Sequence, residues 1–100
     1  MVKMLKFGAP WCGPCKMIEP IIESIKKEYT SEDFEVHSYN VDESPELVSM
    51  YSIRSVPTII FLKDEDEVER IIGLTNKRDL ETQIKKHFNI MIRYLNLKII

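Results

Sequence analysis

Cysteine is nearly absent from this chain. There are 2 in 100 residues, and both fall in one block, Trp11-Cys12-Gly13-Pro14-Cys15. That scarcity excludes a small scaffold held together by several disulfides. Histidine is as rare, with only His37 and His87 to complete a four-ligand zinc site around the cysteine pair, and neither has finger-like spacing. No metal site is expected, and zinc stands only as the minor alternative. Neither sign of charge dominates: 14 Lys+Arg against 16 Asp+Glu leave a net charge of −2, which gives no reason to expect a nucleic-acid partner or general membrane affinity. Apolar runs long enough to span a bilayer are missing. So is a secretory apolar region behind a basic start, because the first residues read directly as a strand. With 3 glycines, no repeat, no low-complexity segment and no Gly/Ser linker, the 100 residues fit one domain with a sizeable core.

What is present alternates between strand and helix patterns. Val2–Phe7 reads as a strand, broken by Gly8-Ala9-Pro10. The spacing of Met17, Ile18, Ile21, Ile22 and Ile25 predicts a helix over Lys16–Tyr29, with Pro20 expected to kink it. Phe34–Val41 reads as a second strand. Ser44–Tyr51 reads as a short helix with Ser44 as N-cap and Pro45 in the first turn. Pro57–Leu62 and Glu67–Ile72 form a hairpin across a charged turn, and Thr75 or Asn76 caps the last helix. The expected fold is α/β: a minimal βαβαββα core whose first two strands are parallel and joined right-handedly. The hairpin completes a mixed four-stranded sheet with helices on both faces.

The cysteine block lies where the first strand runs into the first helix. There the leading backbone N–H groups lack intrahelical partners and the helix dipole is positive, so a sulfur at the N-cap is favoured as thiolate. Pro14 suits the first turn, and Gly13 leaves room for an approaching disulfide. These features assign Cys12 as the attacking thiolate and Cys15, returning to the same end of the helix, as the thiol that resolves a mixed disulfide. A purely structural disulfide is a weaker reading, since so small a loop constrains the unfolded chain little.

The block resembles the active site of the thioredoxin family, and the likeness extends from about Val2 to Phe88. Its further residues are Phe7, Ala9, Lys16-Met17, Pro20, Asn40-Val41-Asp42, Tyr51, Ile53-Arg54, Val56-Pro57-Thr58 and Gly73. Local sequence alone favours a trans bond before Pro57, as for most prolines. The resemblance implies instead a cis Pro57 opposite the dithiol, with Val56, Pro57 and Thr58 receiving substrate. It also implies that Trp11 and Gly73 help form the apolar surface that meets the target. Taken alone, Trp11 is an ordinary half-buried aromatic and Gly73 an ordinary strand-ending glycine.

Two departures from the family stand out. The sequence starts at what would be the second strand of typical members, so the sheet is expected to have Phe34–Val41 as an exposed edge. The second is Lys6, which occupies the place of a buried aspartate thought to help deprotonate the resolving cysteine, while Ser38 replaces an accompanying lysine. Either Lys6 snorkels to the surface, or its ammonium lies near the sulfurs and favours both thiolates. Glu19 and the other acidic side chains of the first helix read as solvated surface. His37 and His87 read as bystanders without acidic partners in sequence.

The chain divides into a domain over residues 1–88 and an extension over residues 89–100. The extension has 8 apolar residues in 12 and helical spacing that continues the last helix. It is expected to pack against the bare edge or face, with a second copy of the chain or another protein as the alternative occupant of its apolar stripe.

The function expected is that of a thiol-disulfide oxidoreductase, a reductase of protein disulfides. The Gly-Pro between the cysteines resembles the reducing members of the family. No bound cofactor is expected. Electrons would come from a thioredoxin reductase-like partner, ultimately NADPH, or from glutathione, in a cytoplasmic setting. The alternatives are a glutaredoxin-like reductant recharged by glutathione and a non-catalytic binding subunit on the same fold.

Overall fold

A computed structural model describes residues 1–87. Seven elements follow in chain order: β1 (Val2–Gly8), α1 (Gly13–Glu28), β2 (Phe34–Asn40), α2 (Pro45–Met50), β3 (Thr58–Lys63), β4 (Asp66–Ile72) and α3 (Lys77–His87). The strands form one sheet in the order β2-β1-β3-β4. β1 runs parallel to β2 and antiparallel to β3, and β4 is antiparallel to β3. This is the mixed four-stranded architecture that the strand and helix patterns predicted, with β2 at one edge as expected. The extension over residues 89–100, together with its proposed packing, lies outside the described residues.

Strand position explains strand composition. β1 and β3 are interior and covered on both faces, so they are almost uninterrupted apolar runs. β4, at the other edge, carries Asp66, Glu67, Glu69 and Arg70, charges that disfavour pairing with another sheet. Side chains alternate across the sheet and build two cores. On one face Val2, Met4, Ile59 and Phe61 pack with Ile18, Ile22 and Ile25 of α1 and Leu80 and Ile84 of α3. On the other, Leu5, Phe7, Ile60 and Leu62 pack beneath Leu47 of α2 and beside Tyr39, Tyr51 and Ile53. Phe7 sits fully buried between two tyrosine rings, 5.3 Å from that of Tyr39 and 6.0 Å from that of Tyr51.

Several boundaries move. α1 begins at Gly13, three residues before the expected Lys16, because Cys12 serves as its N-cap and Pro14 occupies the first turn. The helix continues through Pro20 without a break. Met17, expected on the buried stripe, is 64% exposed, since the stripe that meets the sheet is Cys15-Ile18-Ile22-Ile25. Ser44 caps α2 by position but makes no side-chain capping bond. Asn76, by contrast, caps α3 by accepting the Asp79 N–H at 2.8 Å.

The β3–β4 hairpin turns through Asp64 and Glu65, both at positive φ, as the right-handed twist of a two-residue hairpin requires. Both side chains are also anchored. The N-terminal amine of Met1 meets Asp64 at 2.9 Å, and Lys3 meets Glu65 at 2.7 Å. The turn is therefore tied to the start of β1 rather than simply solvated.

Candidate active site

The parallel pairing of β1 and β2 carries both strands to the same end of the sheet. There the Val41 N–H donates to the Gly8 carbonyl at 2.9 Å, and the chain turns from Gly8 into α1. Cys12 sits at the N-cap with extended backbone, and its Sγ accepts the Cys15 N–H at 3.2 Å. The two cysteines are joined as a disulfide. No acidic residue stands in the first turn of α1 to offset the positive end of the helix dipole. Once the disulfide is reduced, that positive end favours negative charge on Cys12 sulfur.

Both cysteines are buried in this disulfide form, Cys12 at 5% exposure and Cys15 at 2%. They form a small apolar cluster with Ala9, against which Val41 and Val56 pack. Around them the surface is open. Gly13 and Pro14 are exposed, and a side chain at Gly13 would meet nothing within 4 Å. Trp11 is 68% exposed rather than half-buried, and its indole Nε1–H donates to Asp42 Oδ2 at 2.9 Å.

The Val56–Pro57 peptide is cis, as the resemblance implied and the local sequence did not. Pro57 is buried, and Thr58 fixes the segment by donating from Oγ1 to the Ser55 carbonyl at 2.8 Å. The Gly73 N–H donates to the Pro57 carbonyl at 2.8 Å, which brings the end of β4 to the same place. Gly73 has φ +93°, a conformation that disfavours other residues, so its identity reflects backbone geometry as well as position. Of the residues singled out from sequence, Val56 thus touches the cysteine cluster directly, while Thr58 and Gly73 brace the proline beside it.

Lys6 is where the structure adds most. It lies on the face of β1 shared with Val2 and Met4, the face that α1 covers, and is 6% exposed. Its ammonium does not snorkel into open water but ends on the carboxylate of Glu19. Glu19, expected to be solvated surface, is therefore a partner of the site. Its signal in the sequence is its spacing: Cys15 and Glu19 are four apart on α1 and so share one side of the helix. An atom placed as Cβ on Gly8 would stand 3.2 Å from Lys6 Nζ and 3.3 Å from Cys15 Sγ. Ammonium and sulfur thus flank one point. Lys6, Cys15 and Glu19 line the same cleft of about 260 Å³, which Ser38, Tyr39 and Asn40 close from β2.

The histidines stay away from the cysteines. His37, expected to lack an acidic partner, has its Nε2 3.0 Å from Glu35 Oε1, and that hydrogen bond holds the Glu35 carboxyl below its usual range. Among the described residues, no cluster of three or more His, Cys, Asp or Glu could hold a metal ion, and no helix is long and apolar enough to cross a membrane.

Comparison with known proteins gives a consistent pattern. The family model described as thioredoxin matches residues 2–86. The M-type chloroplastic thioredoxin of Spinacia oleracea is 43% identical over 86 residues, which are 86% of this chain and 47% of that protein. Thioredoxin 1 of Synechococcus elongatus is 39% identical over 84 residues, 84% of this chain and 78% of that one. This chain thus spans about half the length of the plant relative and most of the cyanobacterial one. Among solved structures, a mutant thioredoxin from Halobacterium salinarum superposes with a TM-score of 0.78 at 36% identity, covering 86% of this chain and 74% of that chain.

Proposed function

Since the chain belongs to the thioredoxin family, we propose that it reduces disulfides in other proteins by dithiol exchange. One observation carries the reading: a cysteine pair joined at the N-cap of α1, with the outer sulfur accepting a backbone N–H and the cis Pro57 segment beside it.

In the reduced state the Cys12 thiolate attacks one sulfur of a target disulfide. A Cys12–target disulfide forms, and the other target sulfur leaves as a thiolate that takes a proton from water. The Cys15 thiolate then attacks the Cys12 sulfur, expels the second target thiolate and closes the Cys12–Cys15 bond. The target gains two electrons and two protons, and the chain is left in the disulfide form.

Val56, Pro57 and Thr58 receive the extended segment that flanks the target disulfide. Trp11, Gly13, Pro14 and Gly73 form the open surface around it. Recharging needs two electrons from outside, supplied by a thioredoxin reductase-like partner drawing on NADPH or by glutathione. The setting proposed is a reducing one, the cytoplasm, where a dithiol without further cysteines persists. The chloroplast named for the spinach relative is that protein's own location.

The test is reduction of insulin disulfides with NADPH and thioredoxin reductase in one arm and glutathione with its reductase in the other. Turnover in the first arm that Cys12→Ser abolishes supports the proposal, and Cys15→Ser should accumulate a mixed disulfide visible by mass spectrometry. Reduction no faster than in a protein-free control would overturn it. Turnover in the glutathione arm alone would replace the recharging partner with the glutaredoxin-like alternative.

A further inference from the structure

We propose that the Lys6–Glu19 ion pair is a positioning device that sets how readily Cys15 becomes a thiolate, with the Lys6 ammonium favouring it and Glu19 opposing it. This rests on Cys15 acting as the resolving thiol.

The geometry comes from two elements. α1 places Cys15 and Glu19 on one side, one turn apart, and β1 brings Lys6 up from the sheet beneath them. Gly8 lets Lys6 and Cys15 approach each other. Any Cβ there would stand 3.2 Å from Lys6 Nζ and 3.3 Å from Cys15 Sγ, tighter than ordinary contact, so ammonium and sulfur lie within twice that distance of each other.

The two charges do not cancel at the sulfur. Lys6 has only 7% of its side chain exposed, whereas Glu19 has 49% and stands on the solvent side, where water screens it. The other titratable groups lining the cleft are Lys16, exposed on α1, and Tyr39 of β2, whose ring packs on Phe7. Lys6 is therefore the buried cation at the sulfur. In the resolving step the Cys15 thiol gives its proton to water in the open cleft. The Lys6 ammonium stabilises the thiolate left behind, which then attacks the Cys12 sulfur. No carboxylate base is required.

The experiment titrates Cys15 by its ultraviolet thiolate absorbance in the Cys12→Ser chain, in which serine remains a good N-cap. Adding Lys6→Met should move the midpoint up by about 1 pH unit, and adding Glu19→Gln should move it down by a smaller amount. In the chain with both cysteines, Lys6→Met should slow resolution of a mixed disulfide at neutral pH by about threefold, because the thiolate fraction falls about tenfold while each thiolate becomes more nucleophilic. Lys6→Arg, which keeps the charge, should restore most of the shift.

Opposite signs for the two variants are the discriminating result, since loss of a merely structural contact moves both the same way. Shifts of one sign, or none, overturn the proposal. Glu19→Gln lies on a solvent-facing side of the helix and decides the matter alone if Lys6→Met does not fold. The titration needs no target protein. A chain inert towards insulin would sink the reductase reading and leave this result standing, while unmoved titrations would do the reverse.

Discussion

The indole of Trp11 and the carboxylate of Asp42 are joined by a 2.9 Å hydrogen bond across 31 residues of sequence. Trp11 follows β1 and Asp42 follows β2, so parallel pairing delivers both to one end of the sheet. Asp42 is itself held, because its N–H donates to Asn40 Oδ1 at 2.9 Å. An indole that is 68% exposed has little packing to orient it, and this bond supplies the orientation.

Asp42→Ala should therefore free the ring beside the disulfide without unfolding the chain. The expected cost in stability is at most about 1 kcal/mol, that of one exposed hydrogen bond. Insulin reduction should fall a few-fold through a higher KM, with kcat changed less. Steady-state kinetics and a urea titration check both parts, and an unchanged KM would sever the bond from target recognition.

Arg70 of β4 ties the loop before the cis proline to the hairpin. Its Nη2 donates to the Tyr51 carbonyl at 2.7 Å, and its Nε and Nη2 hold the two carboxylate oxygens of Glu67 at 2.8 and 2.7 Å. Such a fork suits guanidinium and not an ammonium. Arg70→Ala should cost about 1–3 kcal/mol in urea unfolding, and Arg70→Lys should recover less than half of it. Full recovery by lysine would show that only the charge matters.

Tyr29 makes stability depend on alkaline pH. Burial first, and then donation of its hydroxyl to Glu81 at 2.7 Å, push the phenol up to about 12 from an ordinary value of 10.0. Above the ordinary value an unfolded chain releases this proton while the folded one keeps it, so the contribution is whole below pH 10.0 and is lost as pH rises towards about 12. Glu81→Gln should lower the phenol part of the way, leaving the effect of burial, and flatten the loss of stability across that window. Spectrophotometric titration of the phenol and urea unfolding at several pH values measure the two effects.

Much of this was legible in the residues because it depends on neighbours in the chain. The apolar runs of β1 and β3, the break at Gly8-Ala9-Pro10 and the Cys-x-x-Cys spacing are local, and local spacing fixes which side of a helix or strand a residue occupies. The start of α1 at Gly13 was harder to place. The first turn has little apolar pattern of its own, and its evidence is the N-cap geometry of Cys12. Met17 lies outside the covered part of the stripe for a related reason, since spacing gives a broad apolar stripe but not which part of it the sheet covers.

The amino-acid order by itself determined that a dithiol would sit at the head of a helix, directly after an apolar strand, because those features follow from backbone propensities and from spacing within a few residues. Only the tertiary structure decided which distant side chains complete it: Glu19 against Lys6, Asp42 beside Trp11, Gly73 against Pro57. Such pairings arise when strand register and helix packing bring chain segments together. A charge on one element carries no mark of the partner it will meet on another.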